Sequence, residues 1–95
     1  MIQLPVDDST LDRAVNHYGS VSQILMAIEE GSELTQALLH WLRDKASREH
    51  VQDEIADNLI TALQMRRMFG ATKVDERIRI KMERLESGLS NRDES

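Results

Sequence analysis

Apolar side chains recur at helical spacing through most of this chain, and nowhere do they alternate with polar ones for the length of a strand. Val21, Ile24, Leu25, Ile28, Leu38 and Leu42 keep the period of about 3.6 residues that marks an amphipathic helix. Ser20 stands where a capping residue belongs, so a long helix is expected over residues 21–43. Before it, Leu11 to Tyr18 reads as a short helix stopping at Gly19. Its lead-in spans residues 1–9, with Pro5 and a capping cluster at Asp7-Asp8-Ser9-Thr10. The polar run from Asp44 to Ser47 offers a break. Ser47 can cap a third helix that ends near Phe69, with Gly70 as its stop. Val74, Ile78, Met82 and Leu85 suggest a fourth helix over residues 75–87, leaving a frayed tail from Gly88. The expected fold is all-α: one domain, built as an antiparallel bundle of four to five helices joined by short connections.

Composition narrows this picture. A lone chain of 95 residues buries only about 60–65% of its unfolded surface, so its core is marginal. With one Trp, one Tyr and one Phe, that core must come from Leu, Ile, Val, Met and Ala. Oligomerisation is an expected source of further burial, giving a homo-oligomeric four-helix bundle. The absence of cysteine rules out disulfides, thiolate zinc sites and a cysteine nucleophile. A net charge of −5 argues against a binder of polymeric nucleic acid, which normally carries a basic footprint. No apolar run approaches a membrane span. The start MIQLPVDDST lacks a basic stretch followed by an apolar one. A cytoplasmic protein without a membrane partner is the expectation.

The carboxylates carry the chemistry. Residues three apart on a helix are surface neighbours, which pairs Glu30 with Glu33 and Glu54 with Asp57. The two pairs lie at equal distances from the break between residues 43 and 44. An antiparallel hairpin folded there brings them level. At about 100° per residue, Val21, Ile24, Ile28, Thr35, Leu39 and Leu42 cluster on one side of the second helix. Glu30 and Glu33 lie nearly opposite, with Gln23, Met26 and Ala37. On the third helix Val51, Ile55, Leu59, Ala62 and Leu63 form the apolar arc. Glu54, Asp57, Asn58, Thr61 and Met65 form the other. Each acidic pair alone is a common helix-surface feature. Together they contain no Lys or Arg, as a cleft lining would. Four facing carboxylates repel, so either some protonate or cations neutralise them. All-oxygen ligation suits Mg²⁺ or Mn²⁺ rather than zinc, and no Glu-x-x-His motif supports a di-iron site.

Bases concentrate further on. Residues 66–84 hold seven Lys or Arg against three acids, while residues 22–65 hold three against eight. Arg77, Lys81 and Arg84 share one helical face. Beside a carboxylate–metal centre such a row reads as a phosphate clamp. Alone it reads as a solvated face. His17, His40 and His50 lack ligand spacing, and Trp41 reads as packing at a subunit contact.

These motifs resemble the MazG-like all-α nucleoside triphosphate pyrophosphohydrolases, whose pattern is EExxE, a variable spacer, then ExxD. Here the pattern is Glu29-Glu30-x-x-Glu33 and Glu54-x-x-Asp57 across a 20-residue spacer. HYGSVSQILMAIEEGSEL is similar to the family's N-terminal half. EIADNLITALQMRRMFG with VDERIRIKMERLESGL is similar to its C-terminal half, including Lys81-x-x-Arg84. The resemblance covers residues 17–89 and departs from the family at Asn58 and at Gly31-Ser32. It implies hydrolysis of a (deoxy)nucleoside triphosphate to monophosphate and pyrophosphate. Carried over position by position, it makes Glu30, Glu33, Glu54 and Asp57 ligands of Mg²⁺, with Mn²⁺ as a substitute. Glu29 or Glu33 would accept the proton of the attacking water. Lys81 and Arg84, with Arg77, would hold the pyrophosphate. Gln23, Asn58 and Thr61 would contact base or sugar. The family also assembles its sites between associated subunits, so a homodimer or homotetramer is implied. Two rivals remain open: a non-catalytic helical interaction module, and a related hydrolase of dUTPase-like or phosphoribosyl-compound type.

Overall fold

In the computed structural model, which describes residues 2–94 and side chains through residue 91, Asp7 starts the first helix. Its carboxylate accepts the Thr10 N–H at 3.0 Å and the Thr10 hydroxyl at 2.8 Å, an N-cap that satisfies one orphan donor. Helix α1 therefore runs Asp8–Tyr18, three residues earlier than the apolar pattern alone places it. Gly19 closes α1 and opens the next helix. Its N–H donates to Val15 O at 2.8 Å, and its carbonyl accepts the Gln23 N–H at 3.1 Å. Its φ of +92° is open to glycine and strained for other residues. The cap of α2 is thus Gly19. Ser20, expected in that role, is the first residue of α2 (Ser20–Leu42), which has no side-chain cap.

The break at residues 43–47 comes as expected. Asp44 takes φ +59°, and Lys45 N–H returns to His40 O at 2.8 Å. Ser47 caps α3 (Arg48–Phe69) by accepting the His50 N–H at 3.1 Å. Gly70 ends it at φ +113°, donating to Arg66 O at 3.1 Å while accepting from Val74 at 3.0 Å. Because Gly70 serves both helices, α4 begins at once and spans Ala71–Glu94. It starts earlier than the pattern suggests and continues past Gly88, where a tail was expected. The chain is all-α, with four helices and no strand among the described residues. No helix of the structure is long and apolar enough to cross a membrane.

Helices α2 and α3 fold back along each other. The protected residues show which faces meet. Along the α2–α3 contact they include Gln23, Ala27, Glu30, Leu34 and Ala37 on α2 and Val51, Glu54, Asn58, Thr61 and Met65 on α3. Their alternating spacings of three and four are those of a helix–helix seam. Helix α1 packs on both, held by Arg67, which donates to both carboxylate oxygens of Asp12 at 3.1 and 2.8 Å. Among the described residues, helix α4 packs on α3 alone.

The expected aliphatic core is missing from the single chain. Leu11 and Ala37 are the buried apolar residues among those described, beside buried Gln23, Thr61 and Gln64. Much of the apolar arcs points outward instead: Val21, Ile28, Leu39 and Leu42 on α2 and Ile55 and Leu59 on α3 are exposed, while Ile24, Val51 and Leu63 are half-buried. The radius of gyration is 16.2 Å, against about 12 Å for a compact domain of this length.

Candidate metal centre

The seam between α2 and α3 carries the acids. Ligand-competent carboxylate oxygens of Glu30, Glu33 and Glu54 lie within 4.8 Å of one another. The hairpin brings them together because the two motifs stand at matching distances from the turn. Gly31 faces Asn58 of α3 here, and a Cβ on it would lie 3.6 Å from Asn58 Oδ1, an ordinary contact distance.

One carboxylate oxygen on each of Glu30 and Glu54, Oε2 in both cases, is buried without a hydrogen-bond partner. Buried acceptors of this kind are rare and call for a partner. None of the four predicted ligands has a Lys or Arg within salt-bridge distance among the described residues. The pairing bases of this chain go elsewhere: Arg66 to Asp75 at 2.7 Å, Arg67 to Asp12 at 2.8 Å, and Arg79 to Glu83 at 2.9 Å.

The electrostatics follow from that crowding. Burial pushes the Glu30 carboxyl above its usual range, and the negative charges of Glu33, Asp57, Glu54 and Glu29 add to it in that order. Glu54 is also raised, by burial first and then by Glu33 and Asp57, with His50 one turn earlier pulling the other way. Both groups hold their proton more tightly than a free glutamate does. A divalent cation would replace those protons, because it satisfies the two orphaned oxygens and cancels the mutual repulsion. The donor set is all oxygen, which fits Mg²⁺ or Mn²⁺.

The other sequence-predicted residues fall in different places. Asp57 sits close enough for its charge to act on Glu30 and Glu54, although it is outside the converging trio. Glu29 is exposed. Gln23 and Thr61 are buried in the seam, and the Thr61 hydroxyl donates to Asn58 O at 3.0 Å and Asp57 O at 3.3 Å. Asn58 is half-buried beside Gly31. Arg77, Lys81 and Arg84 are exposed on α4. Since α4 packs on α3 alone, the basic row stays away from α2 and its glutamates within one chain.

One feature escaped the sequence reading. The Arg48 guanidinium stands 5.2 Å from the centroid of the Trp41 ring, across a groove of about 340 Å³ lined also by Leu38, Val51 and Ile55. The seven-residue interval from Trp41 to Arg48 spans the turn, and only the turn's geometry reveals that the two meet.

Comparison with known protein families, curated proteins and solved structures finds no match to this chain.

Proposed function

We propose that the chain is a divalent-metal-dependent pyrophosphohydrolase of (deoxy)nucleoside triphosphates, acting in the cytoplasm. The observation that carries this reading is the convergence of Glu30, Glu33 and Glu54 with two buried, unpartnered carboxylate oxygens. The order and spacing of the acidic motifs, similar to the MazG-like family, supply the reaction class. Glu30, Glu33 and Glu54 would hold Mg²⁺ or Mn²⁺, with Asp57 completing the set. Bound there, the cation supplies charge neutralisation for the triphosphate and acidity for the attacking water.

The chain's own groups do the rest. Water attacks the α-phosphorus, its oxygen forming the new P–O bond as the bond to pyrophosphate breaks. Glu29 or Glu33 accepts the water's proton. Pyrophosphate leaves with the bonding electrons, held by the bases Lys81, Arg84 and Arg77 of an associated copy of the chain. No covalent intermediate on the protein is needed, so positioning and electrostatics carry the rate. Asn58 is the best placed of the three base or sugar contacts, because Gln23 and the Thr61 hydroxyl are committed to the seam.

The test is pyrophosphate release from the common NTPs and dNTPs, with Mg²⁺, Mn²⁺ or EDTA, on wild type and Glu33→Gln. Metal-dependent release that the variant loses is expected. No release from any nucleotide, together with no metal binding by calorimetry in the presence of nucleotide, would overturn the reading and leave a helical interaction module.

A further inference from the structure

The acidic seam has an open rim on α3. Glu54 and Asn58 are half-buried in the seam, whereas Asp57 and His50 are exposed. At about 100° per residue, His50 falls between Glu54 and Asp57 around the helix. It lies one turn closer to the α2–α3 connection, about 6 Å from Glu54 along the axis. Side chains four apart on a helix are surface neighbours. The backbone is pinned there, because Ser47 Oγ accepts the His50 N–H at 3.1 Å.

Charge singles out the same residue. Glu30, Glu33 and Glu54 repel an approaching anion, and a triphosphate carries more negative charge than one divalent cation cancels. The substrate therefore needs cationic side chains beside the metal. Of the charged groups that act on the raised Glu30 and Glu54 carboxyls, His50 alone is a cation. Its imidazole makes no ion pair and no hydrogen bond among the described residues, so its N–H groups are available. The three bases of residues 22–65, Arg43, Lys45 and Arg48, all stand at the connection next to it, joined by two acids, Asp44 and Glu49. None of the three pairs with an acid among the described residues. The hairpin is thus negative at the glutamates and more positive toward its turn.

Resting on the metal-dependent reading above, we propose that His50 is a phosphate-contacting residue. Its imidazole N–H donates to an oxygen of the metal-held triphosphate, and the phosphate chain lies along the open rim, running toward the turn. A hydrogen bond from a cationic imidazole to phosphate is charge-assisted, hence short and strong. The contact comes from the helix that carries Glu54 and Asp57, so metal and phosphate are positioned by one rigid element. Arg43 and Lys45 add attraction at longer range, at the end toward which the pyrophosphate points.

Calorimetry on the full chain, with Mg²⁺ first and inorganic pyrophosphate second, reads binding without turnover. Wild type should bind Mg²⁺ and, once loaded, pyrophosphate. His50→Ala should weaken pyrophosphate binding about tenfold or more, with Mg²⁺ affinity as in wild type. His50→Gln keeps an N–H donor and should recover part of the loss. His17→Ala, at an exposed histidine of α1, should leave both affinities unchanged. Pyrophosphate binding that His50→Ala leaves intact overturns the contact while the metal site stands. So does a Mg²⁺-loaded wild type without affinity for pyrophosphate. A loss of Mg²⁺ affinity in His50→Ala also overturns it, by placing the imidazole on the metal. A wild type that binds no Mg²⁺ overturns the proposed reaction itself, and this contact with it.

Discussion

Gly31 and Gly70 separate two uses of glycine, and alanine substitutions tell them apart. At Gly31 a methyl group meets Asn58 Oδ1 at 3.6 Å, an ordinary van der Waals distance, in a backbone that is plain α-helix. Gly31→Ala should stabilise α2 by about 1 kcal/mol through helix propensity. Urea denaturation measures it, and a loss of stability would show that Asn58 needs the space. At Gly70 the backbone sits at φ +113°, so Gly70→Ala should cost about 1–2 kcal/mol in the same assay although nothing obstructs the side chain. Glu54 presents a third case. It is held among Glu33, Glu30 and Asp57, with one orphaned oxygen. Glu54→Gln removes a like charge from the cluster and should raise the melting temperature of the metal-free protein. The same variant should lose the further rise that Mg²⁺ gives the wild type. A metal-free variant that melts below wild type would mean that the negative charge of Glu54 has a stabilising partner.

At the scale of elements, the helix ends test how local chemistry sets boundaries. Ser47 is the sole side-chain cap on α3, and Ser47→Ala should cost about 1 kcal/mol by thermal denaturation. An unchanged melting temperature would show that packing alone fixes the start of α3. Both ends of α3 were legible in the sequence because Ser47 and Gly70 act within one turn of the chain. The start of α1 and the length of α4 were not. Asp7 caps from further upstream than the apolar rhythm begins, and Leu89 carries the stripe of α4 past Gly88 at the cost of one glycine. The acidic hairpin was legible for a geometric reason: equal spacing from the turn puts the motifs level whatever the side chains do. What periodicity could not supply was direction. It groups residues onto faces, but it does not say which face is turned inward. The usual assumption, apolar side in, fails here because most of the aliphatic residues of α2 and α3 are exposed on the outside of the chain. The placement of Arg77, Lys81 and Arg84 was illegible for the same reason, since α4 finds no second helix to lie on beyond α3.

For the whole molecule, the shifted carboxyls divide the pH axis into two windows. Asp12 and Asp75 bind Arg67 and Arg66, which lowers both carboxyls below the ordinary aspartate value of 3.8. Capping the Thr10 hydroxyl and N–H lowers Asp7 in the same way. These three contribute stability that is present above that value and lost as pH falls through their folded values. Glu30 and Glu54 behave in the opposite sense. Their carboxyls lie above the ordinary glutamate value of 4.5, so the folded chain binds protons there that the unfolded chain has already released. Stability from this source is full below pH 4.5 and declines as pH rises through the raised folded values. The metal-free protein should therefore be most stable at mildly acidic pH and weaker at neutral pH. A bound divalent cation takes over the role of the protons, so adding Mg²⁺ or Mn²⁺ should restore stability at neutral pH and leave the acid side little changed. Melting temperatures across this range, with EDTA and with metal, provide the test at one protein concentration. Equal curves with and without metal would remove the cation from the Glu30–Glu33–Glu54 site. A metal-free curve that rises steadily to neutral pH would instead show that the glutamates stay ionised and solvated, in a seam more open than the orphaned oxygens indicate.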